Sequence, residues 1–401
     1  MNSTNIFIYS NFDFSEKSAG KTRMLYYAKA IANNSHKVYL VSCCSSKIND
    51  KNFIEVEPNI FILEEKRLTK SFIGTLLFVK NLLIFSKHLA GKSSFIFYPS
   101  PLIYLEVLSL VYIKGIRKYP VFYELNEVRK YSSAFHSAIS INRIGYSIKK
   151  IVYKIIFSAL EPLLYFYSGL ICISTNINDY GKRYNNNTIR IPILTNPKLE
   201  VKLSENKYNT ESAYNIGFSG SIKPSKENLE DFLEVLSKTM KKNNNVVLNL
   251  CGPISKKDYK YIFEKIILQY KIVGKVNYYG NLNDVELSTF LNQQNLLIIP
   301  RGYTLQNHFG FSTKLSDYLN HSKIILLTDI SDNKLFIKDG INGFIVPPND
   351  NQKMLEKLNY IIKNHENIES EIIKNAFQTS INEFNYEIFG DKLRSYLTTV
   401  S

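Results

Sequence analysis

Short β-rich runs alternate with helical patterns along the chain, and this alternation limits the possible folds more than any other feature of the sequence. The first example is a strand-like run at residues 5–10, a polar loop at 11–21, a helical pattern at 24–31 and a second strand-like run at 38–42. The strand-like runs are rich in β-branched and aromatic residues, whereas apolar residues recur at helical spacing between them. Strand–helix–strand units of this kind build parallel sheets, so the pattern predicts an α/β fold.

The alternation occupies two successive halves of similar size, which a polar stretch at residues 196–213 separates. We therefore predict two Rossmann-like domains, at residues 1–200 and 201–384, with parallel sheets facing each other across a cleft. A C-terminal helix at about residues 385–401 could pack back on the first domain. Because ligands of such sheets bind outside the carboxyl ends of the strands, the cleft is the default site. The remaining strands are predicted at 53–63, 95–98, 121–125, 170–174, 188–193, 214–218, 246–251, 276–279, 296–299, 324–327 and 343–346, and the remaining helices at 72–89, 101–113, 144–167 (broken near Pro162), 228–240, 257–270, 284–292, 313–319 and in two terminal segments.

Composition excludes several other classes of protein. Hydrophobic residues make up 45% of the chain and charged residues 21%, which is a globular composition and not a disordered one. The four cysteines are scattered, so a reduced cytosolic compartment is the simplest expectation. No run reaches about 18 uncharged apolar residues, and the N-terminus lacks the pattern of a secretory signal, so we expect a cytoplasmic protein without a spanning helix.

The balance of charge leaves three classes of partner open. Fifty basic residues against 35 acidic ones give a net charge of +15, which suits nucleic acid, an anionic membrane or a phosphate-rich substrate. No recognised nucleic-acid module is present, so nucleic acid is not expected. Basic residues accompany the apolar faces of several helical patterns in the first half, as Lys149, Lys150 and Lys154 do between residues 144 and 167. Such helices could lie on an anionic membrane surface, or their apolar faces could pack on the domain's own sheet.

The first motif with chemical content lies at residues 217–226, where a strand ends in small residues. Two of them, Gly217 and Gly220, would let the backbone approach a ligand closely, and Lys223 and Lys226 follow before the next helix. Such a loop can hold a diphosphate through backbone N–H groups and ammonium charge. A plain turn with solvated lysines is the alternative, since glycine-rich turns of this kind are common.

The second motif follows the strand predicted at residues 296–299. It is a polar loop with Gly302 and Gly310, followed by a helix that Ser312 or Thr313 would cap. The start of that helix would offer N–H groups and a positive dipole end to an anion. Asp317 lies about one turn in, where its carboxylate could accept hydrogen bonds from ribose hydroxyls. The alternative is an ordinary capped helix whose dipole Asp317 complements.

Two further motifs lie in the first half. Polar residues at positions 124–130 directly follow a strand, so Asn126 and Glu127 would face the cleft, although loop charges are usually solvated. The loop at residues 15–22 contains Gly20-Lys21-Thr22, which superficially resembles the end of a P-loop. The earlier glycine that a P-loop needs is absent, so an ATPase is rejected and a loop that meets an acceptor fits better.

The second half resembles the nucleotide-sugar domain of family 4 (group 1) glycosyltransferases with the GT-B fold. The resemblance runs from Ile216 to about Asp350 and rests on the order and spacing of the segments 216–220 with Lys226, 248–252, 276–280, 296–300, 311–319 and 340–346. The first half is more weakly similar, at residues 19–20, 124–127 and 172–174.

The resemblance implies roles for individual residues. Lys226 matches the family's phosphate-binding lysine, and Asp317 matches the second of its paired glutamates. The first of that pair falls at Phe309, the family's arginine falls at Ser221, and its acceptor-side histidine falls at Asn126. Motifs and resemblance together give a catalytic set of Asn126, Glu127 and Lys226, a donor-binding set of Gly220, Ser221, Lys223, Lys226, Arg301, Phe311, Ser312, Thr313, Lys314 and Asp317, and an acceptor-binding set of Ala19, Gly20, Lys21, Glu124, Asn126 and Glu127.

The implied activity is transfer of a sugar from a nucleoside-diphosphate sugar to a glycan or polyprenyl-linked acceptor, with retention of configuration. No Asp-x-Asp motif is present to hold a divalent ion, so neither a metal nor another cofactor is expected. The high Asn, Ile and Lys content suggests a bacterium with an AT-rich genome, and hence capsule or lipopolysaccharide assembly at the inner face of the cell membrane. A non-catalytic GT-B subunit that binds a partner enzyme and a nucleotide-sugar epimerase of the same fold are the alternatives.

Overall fold

The computed structural model describes residues 4–11, 19–44, 46–63, 68–100, 102–132, 143–197 and 213–398. The chain forms two compact units. Unit 1 consists of Met1–Leu194 together with Tyr386–Ser401, and unit 2 consists of Thr195–Asn385. The sequence analysis placed the corresponding divisions at residues 200/201 and 384/385.

The described part of unit 1 contains an eight-stranded sheet in the order β3-β4-β2-β1-β5-β6-β7-β8. Neighbouring strands are parallel except for β3 and β4, which are antiparallel. Its central strand, β1, is buried along its whole length, as expected for a sheet covered on both faces. The strands are β1 (Thr4–Ser10), β2 (His36–Ser42), β3 (Phe53–Glu57), β4 (Ile60–Leu63), β5 (Lys92–Phe97), β6 (Val121–Leu125), β7 (Gly169–Cys172) and β8 (Thr188–Arg190).

One face of this sheet carries a row of stacked aromatic rings. Phe7 on β1 lies directly opposite Tyr39 on β2 and Phe95 on β5, with ring centroids 5.1 and 5.0 Å apart, and Tyr39 stacks in turn on Phe61 of β4 at 5.0 Å. Since directly opposed side chains are the closest contacts in a sheet, the row fixes the register of four strands.

The helices of unit 1 include a C-terminal one that follows all of unit 2 in the chain. Leu393 and Leu397 of that helix are buried in the core formed by β1 and the first helix. The helices are α1 (Ala19–Ile31), α2 (Phe72–His88), α3 (Ile103–Leu108, continued as a π-helix at Ser109–Ile116), α4 (Arg143–Leu160), α5 (Thr175–Gly181) and, after unit 2, α15 (Gly390–Thr398), with short 3₁₀ segments at Asp50–Asn52, Arg129–Tyr131, Glu161–Phe166 and Tyr386–Phe389.

Unit 2 contains a parallel sheet of six strands in its described part, in the order β11-β10-β9-β12-β13-β14. This is the Rossmann order, in which the first strand of the domain, β9, lies between the second and the fourth. We call the place between β9 and β12 the switch point. The strands are β9 (Tyr214–Ser219), β10 (Val246–Cys251), β11 (Val276–Tyr278), β12 (Leu296–Ile299), β13 (Ile324–Thr328) and β14 (Phe344–Val346).

Helices pack on this sheet and close its core. Leu233 and Leu236 of α7 and Leu358 of α14 are fully buried against the strands. The helices are α6 (Pro224–Glu227), α7 (Leu229–Lys242), α8 (Lys256–Tyr259, continued as a π-helix at Lys260–Ile266), α9 (Ile267–Gln269), α10 (Asp284–Asn292), α11 (Leu305–Phe309), α12 (Thr313–Asn320), α13 (Asn333–Phe336) and α14 (Asn351–Phe384).

The predicted alternation of strands and helices is confirmed, and β6, β10, α10 and β12 have the predicted bounds. The break near Pro162 is also confirmed, because α4 ends at Leu160 and a 3₁₀ segment follows. The loop predicted at residues 11–21 is wrong at its end, since α1 begins at Ala19, and residues 12–18 lie outside the described residues. Four short helices were not predicted, because they are too short to show a period: α5, α6, α11 and α13, of seven, four, five and four residues. None of the described helices is long and apolar enough to span a membrane.

Candidate active site

Three chain segments meet at the carboxyl ends of β9 and β12 in unit 2. They are the loop after β9 together with α6, the loop after β12, and α12. The loop after β9 and the start of α12 are joined by Tyr318, whose hydroxyl accepts a hydrogen bond from the Ser219 backbone N–H at 2.9 Å. Gly220 follows with a φ of +112°, and a Cβ built there would lie 2.9 Å from the Cε atom of Lys314. A side chain at position 220 would therefore displace the end of the Lys314 side chain, and the positive φ itself favours glycine at this position.

A buried carboxylate that the sequence analysis did not single out binds the three segments together. The Arg301 guanidinium, after β12, donates two hydrogen bonds of 3.1 Å to the carboxylate of Glu227 on α6. The Lys314 ammonium, on α12, donates a third of 3.0 Å to the same carboxylate. We call these three residues the Glu227 cluster. Their exposed fractions are 1% for Glu227, 6% for Arg301 and 8% for Lys314, so all three charges lie out of water.

The electrostatics of the Glu227 cluster favour its charged state. Burial raises the pKa of the Glu227 carboxyl, but Arg301 and Lys314 lower it by more, and the net pKa lies well below the ordinary value of 4.5. Burial lowers the pKa of the Lys314 ammonium, and Glu227 opposes that shift only in part. The cluster itself therefore contains two basic side chains and one carboxylate, and the nearby Asp317 carboxylate also raises the pKa of Lys314.

Two buried polar atoms lie next to the cluster along the chain. Asn307 donates from its side-chain amide to the carbonyls of Lys226 and Gly302, at 2.8 and 3.0 Å. Its Oδ1 atom and the Oγ atom of Ser312 are buried, and among the described residues neither has a hydrogen-bond partner. Buried polar groups are nearly always satisfied, so these two atoms are positions at which a polar ligand could bind.

The other predicted donor residues differ in how exposed they are. Ser221 and Asp317 are exposed, and Lys223, Lys226 and Thr313 are half-buried. The structure places Lys226 on α6 itself, one residue before Glu227, and not in a loop before the helix.

Phe311 is the donor prediction that the structure places in an apolar core. Its side chain is 7% exposed, and its ring contacts Phe336 and Phe384 with centroids 5.5 and 6.2 Å apart. Aromatic rings packed at these distances stabilise the segment in front of α12, so Phe311 has a packing role in place of the predicted donor contact.

The acceptor-side predictions lie at the carboxyl end of β6 in unit 1. Asn126 is half-buried, and its side-chain amide donates to the Tyr98 hydroxyl at 2.7 Å. Tyr98 follows β5, which is the neighbour of β6, so the structure brings together polar groups from two adjacent strand ends. Burial raises the pKa of the Tyr98 phenol, which therefore stays neutral. Glu127 is half-buried beside Asn126.

Glu124 is a correction to the acceptor set. Its side chain is 0% exposed, with one carboxylate oxygen 2.5 Å from the Arg23 guanidinium and the other accepting from the Tyr27 hydroxyl at 2.8 Å. Arg23 also donates to the carbonyls of Ile191 and Pro192. Glu124 still belongs to β6, so its side chain points into the unit and holds α1 against the sheet.

The remaining predicted acceptor residues, Ala19, Gly20 and Lys21, were expected in a loop, but they lie at the start of α1. Gly20 and Lys21 lie in the first turn of α1, where Gly20 is buried and Lys21 is half-buried. Ala19 is the first residue of the helix, and its side chain lies outside the described residues. The charges after β6 are also paired and not simply solvated, since Arg129 donates to buried Glu106 at 2.7 and 3.0 Å.

No group of three or more His, Cys, Asp or Glu side chains in the described part of the chain could hold a metal ion. Neither unit contributes such a group from the strand ends discussed above. Positive charge at the switch point comes from the side chains themselves.

Comparison with known proteins gives a consistent assignment. Residues 200–379 match the family model described as glycosyl transferases group 1. A search of curated protein sequences gave no match. Among solved structures, sucrose-phosphate synthase from Thermosynechococcus elongatus is similar with a TM-score of 0.69 at 13% identity, over 100% of both chains.

Two further structures show the same likeness over the whole chain. A glycosyltransferase from Rickettsia africae has a TM-score of 0.67 at 16% identity, over 100% of this chain and 99% of that one. HepE from Anabaena has a TM-score of 0.64 at 12% identity, over 99% of this chain and 100% of that one. The structural similarity to these three proteins establishes the fold. The family model covers most of unit 2. Residues 200–379 thus match the group 1 glycosyl transferases, and the chain has the GT-B fold of these structures.

Proposed function

We propose that the switch point of unit 2 binds the nucleoside-diphosphate part of a sugar donor, and that the enzyme transfers this sugar to a glycan or lipid-linked acceptor. The observation that carries the proposal is the set of basic side chains there. The cluster of Glu227, Arg301 and Lys314 contains two basic side chains and one carboxylate, and Lys226 lies next to Glu227 in the chain. In Rossmann sheets, ligands bind outside the carboxyl ends of the strands at this point.

The same region supplies the groups that transfer chemistry needs. As the bond between sugar and phosphate breaks, negative charge develops on the departing diphosphate. Lys226, Lys223 and the backbone N–H groups at the start of α12 would stabilise that charge without a metal ion. Asp317, exposed one turn into α12, would accept hydrogen bonds from the ribose hydroxyls. We propose that the acceptor attacks from the face that the leaving group vacates, so that the sugar keeps its configuration.

Asn126 and Glu127 are the proposed acceptor-side residues. Asn126 is held by the Tyr98 hydroxyl, which leaves its carbonyl oxygen as the atom that could accept a hydrogen bond from an acceptor hydroxyl. Glu127, the next residue in the chain, would supply a negative charge near that position.

The structure of HepE was determined with UDP, with UDP-glucose and with UDP and glucose, and that of TarM from S. aureus with UDP and α-GlcNAc-glycerol. Those ligands belong to those proteins. They make uridine diphosphate sugars the first donors to try with this chain.

The proposal includes assembly of a bacterial surface polysaccharide at the inner face of the membrane, and α4 supports the membrane contact. Its described side chains are mostly exposed, including Ile148, Ile151 and Ile155, each more than half exposed, with Lys150 and Lys154 between them. A helix that presents aliphatic and basic side chains together suits the surface of an anionic bilayer.

Isothermal titration of the full chain with UDP, GDP, ADP and their sugars, first with EDTA and then with Mg²⁺, tests the donor site. We expect one base to be preferred and binding to persist in EDTA. Incubation of the preferred donor with saccharide acceptors should give a product with the donor's anomeric configuration. Conversion of the donor in the absence of any acceptor would favour the epimerase instead, and failure to bind every nucleotide would contradict the proposal.

Sedimentation with vesicles tests the membrane contact separately. We expect the chain to bind vesicles containing phosphatidylglycerol and not pure phosphatidylcholine. Binding should fall when both Ile151 and Ile155 are replaced by Glu. Val285→Glu is the matched control, because Val285 is 76% exposed on α10 of unit 2. Equal binding of the two variants would contradict the role of α4.

A further inference from the structure

Glu227 lies at a position where electrostatic repulsion of the donor disfavours a negative charge. An acidic side chain next to a diphosphate site repels the ligand, yet this carboxylate is buried at the switch point and lies one residue after Lys226. Its sequence separation from its two partners is 74 and 87 residues, so it bridges parts of unit 2 that are remote in the chain. An acid in such a place needs a reason that outweighs its repulsion of the donor.

The geometry around Lys314 supplies that reason. Its ammonium lies 4.8 Å from the centre of the Phe218 ring, and its Cε atom lies close beneath Gly220. The side chain therefore extends from α12 to the end of β9, and the hydrogen bond to Glu227 ends that extended path. Without the carboxylate, nothing on α6 would hold the ammonium under the loop at residues 220–221.

Arg301, which follows β12, is held by the same carboxylate. Its two hydrogen bonds reach both oxygens of Glu227, which is the bidentate geometry that fixes a guanidinium most firmly. One carboxylate thus sets the positions of two cations from two different segments. Ser221 stands in this chain at the place where the resemblance to the family puts an arginine, so charge must reach the loop from elsewhere.

We propose that Glu227 is a positioning residue for donor binding, which holds the Lys314 ammonium beside the loop after β9 and the Arg301 guanidinium at the end of α6, so that the two cations supply the positive charge that Ser221 lacks. Glu227 itself makes no contact with the donor. The inference rests on the proposed function, because it concerns the diphosphate of the same donor.

The sign of one mutational effect separates positioning from plain Coulomb repulsion. In Glu227→Gln, a negative charge disappears beside the diphosphate, so electrostatics alone predicts tighter binding. Positioning predicts weaker binding, because the amide cannot hold both cations in place. We expect the dissociation constant for the preferred nucleoside diphosphate, and for inorganic pyrophosphate, to rise about tenfold, within the range of couplings seen in connected networks.

Two other variants complete the test. Glu227→Asp keeps the charge but is shorter by one methylene group, so we expect an intermediate dissociation constant even if Glu227→Gln does not fold. Glu234→Gln is the matched control, since it removes an exposed carboxylate on α7 that pairs with Lys238, and its affinity should stay within about twofold of the wild type. Unfolding midpoints are recorded for all variants, so that affinities are compared only for folded protein.

The outcomes are distinct. Suppose that the wild type binds the nucleotide. Binding that is unchanged or tighter in Glu227→Gln, or unchanged in Glu227→Asp, would then overturn the positioning role and leave the proposed function intact. A purely structural role would lower the unfolding midpoint of the Glu227 variants without changing their affinity. Absence of binding by the wild type to every nucleoside diphosphate and to pyrophosphate would contradict the donor site, and the positioning role with it.

Discussion

Two glutamates near strand ends show how one residue type takes different roles in this molecule. Glu124 lies within β6 and points into unit 1, where Arg23 and Tyr27 use both of its oxygens. Glu127, three residues later, lies past the strand and is half-buried. The difference between an internal ion pair and a surface-facing carboxylate is therefore set by position relative to the end of the strand.

Removal of the internal carboxylate should be costly. In Glu124→Ala, Arg23 keeps its charge in the interior without its partner, and breaking a buried pair in this way costs about 3–5 kcal/mol. We expect the urea midpoint of unit 1 to fall accordingly. Asp179→Ala is the control, because Asp179 forms only an exposed pair with Lys182 and its loss should cost under about 1 kcal/mol. Similar losses in the two variants would mean that the Arg23 pair is not buried in solution.

The stability of unit 2 should depend on acid through Glu227. The folded pKa of this carboxyl is lower than its ordinary value of 4.5, so its contribution is complete above that value and is lost as the pH falls below it. We expect the difference in unfolding free energy between the wild type and Glu227→Gln to be constant at neutral pH. Below about pH 4.5 the difference should shrink. A difference that does not change between pH 7 and 3 would contradict the ion pairing.

Residue patterns gave the location of the candidate site but not its internal connections. Strand ends and small residues pointed to Gly220, Ser312 and Asp317, because these signals are local in sequence. Glu227 was not singled out, because its role depends on partners more than 70 residues away that only the fold brings together. The packing of Phe311 was missed for the same reason, since Phe384 lies on a distant helix.

At the scale of elements, the loops after β9 and β10 touch each other through two glycines. Gly220 and Gly252 both have positive φ, and a Cβ built on Gly252 would lie 2.3 Å from the carbonyl oxygen of Gly220. The loop that we assign to the diphosphate thus rests on the end of the neighbouring strand. Its shape depends on the absence of a side chain there.

Gly252→Ala tests this contact. The variant combines an unfavourable φ with a backbone clash, so we expect a loss of at least about 2 kcal/mol in unit 2. We also expect weaker nucleotide binding, because the Gly220 loop has to move. In Gly274→Ala, the φ is again positive but no atom lies within 4 Å of the new Cβ, so the cost should be about 1 kcal/mol with unchanged affinity. Unchanged binding in both variants would separate the loop from the donor site.

Element types were predictable where a period was long enough to read. The buried strands β10 and β12 follow directly from their patterns, and the two predicted terminal helices are α14 and α15. The antiparallel pairing of β3 with β4 was not predicted, because residues 53–63 read as continuous β-rich sequence and only Pro58-Asn59 separates the two strands. Asn59 has a φ of +64°, which is the turn conformation that this pairing needs.

At the scale of the whole molecule, the chain leaves unit 1 at Leu194 and returns to it at Tyr386. The two connections run side by side, since the Thr195 N–H donates to the Phe384 carbonyl at 2.8 Å. The returning segment completes unit 1: the Tyr396 hydroxyl donates to carbonyls of β7 and of the residue before β8, Leu170 and Asn187.

Deletion of residues 386–401 should therefore damage the unit that contains the N-terminus. Loss of Leu393 and Leu397 exposes the core around α1, and each buried leucine is worth about 2–5 kcal/mol. We expect hydrogen exchange to speed up in β1, α1 and β7 and to stay slow in β9, β10 and β12. Deletion of residues 399–401 is the control and should leave both units protected. Faster exchange in unit 2 alone would contradict the division.

This return of the chain sets an order of events on the ribosome. When residue 194 has been synthesised, the sheet of unit 1 lacks its last helix, and about 200 residues still have to be made. At about 5–20 residues per second, that interval lasts on the order of 10–40 s. Unit 2 can complete its core during this time, whereas the core around α1 still lacks Leu393 and Leu397. In the nascent chain, unit 1 is therefore the incomplete unit that a chaperone would bind, although it is synthesised first.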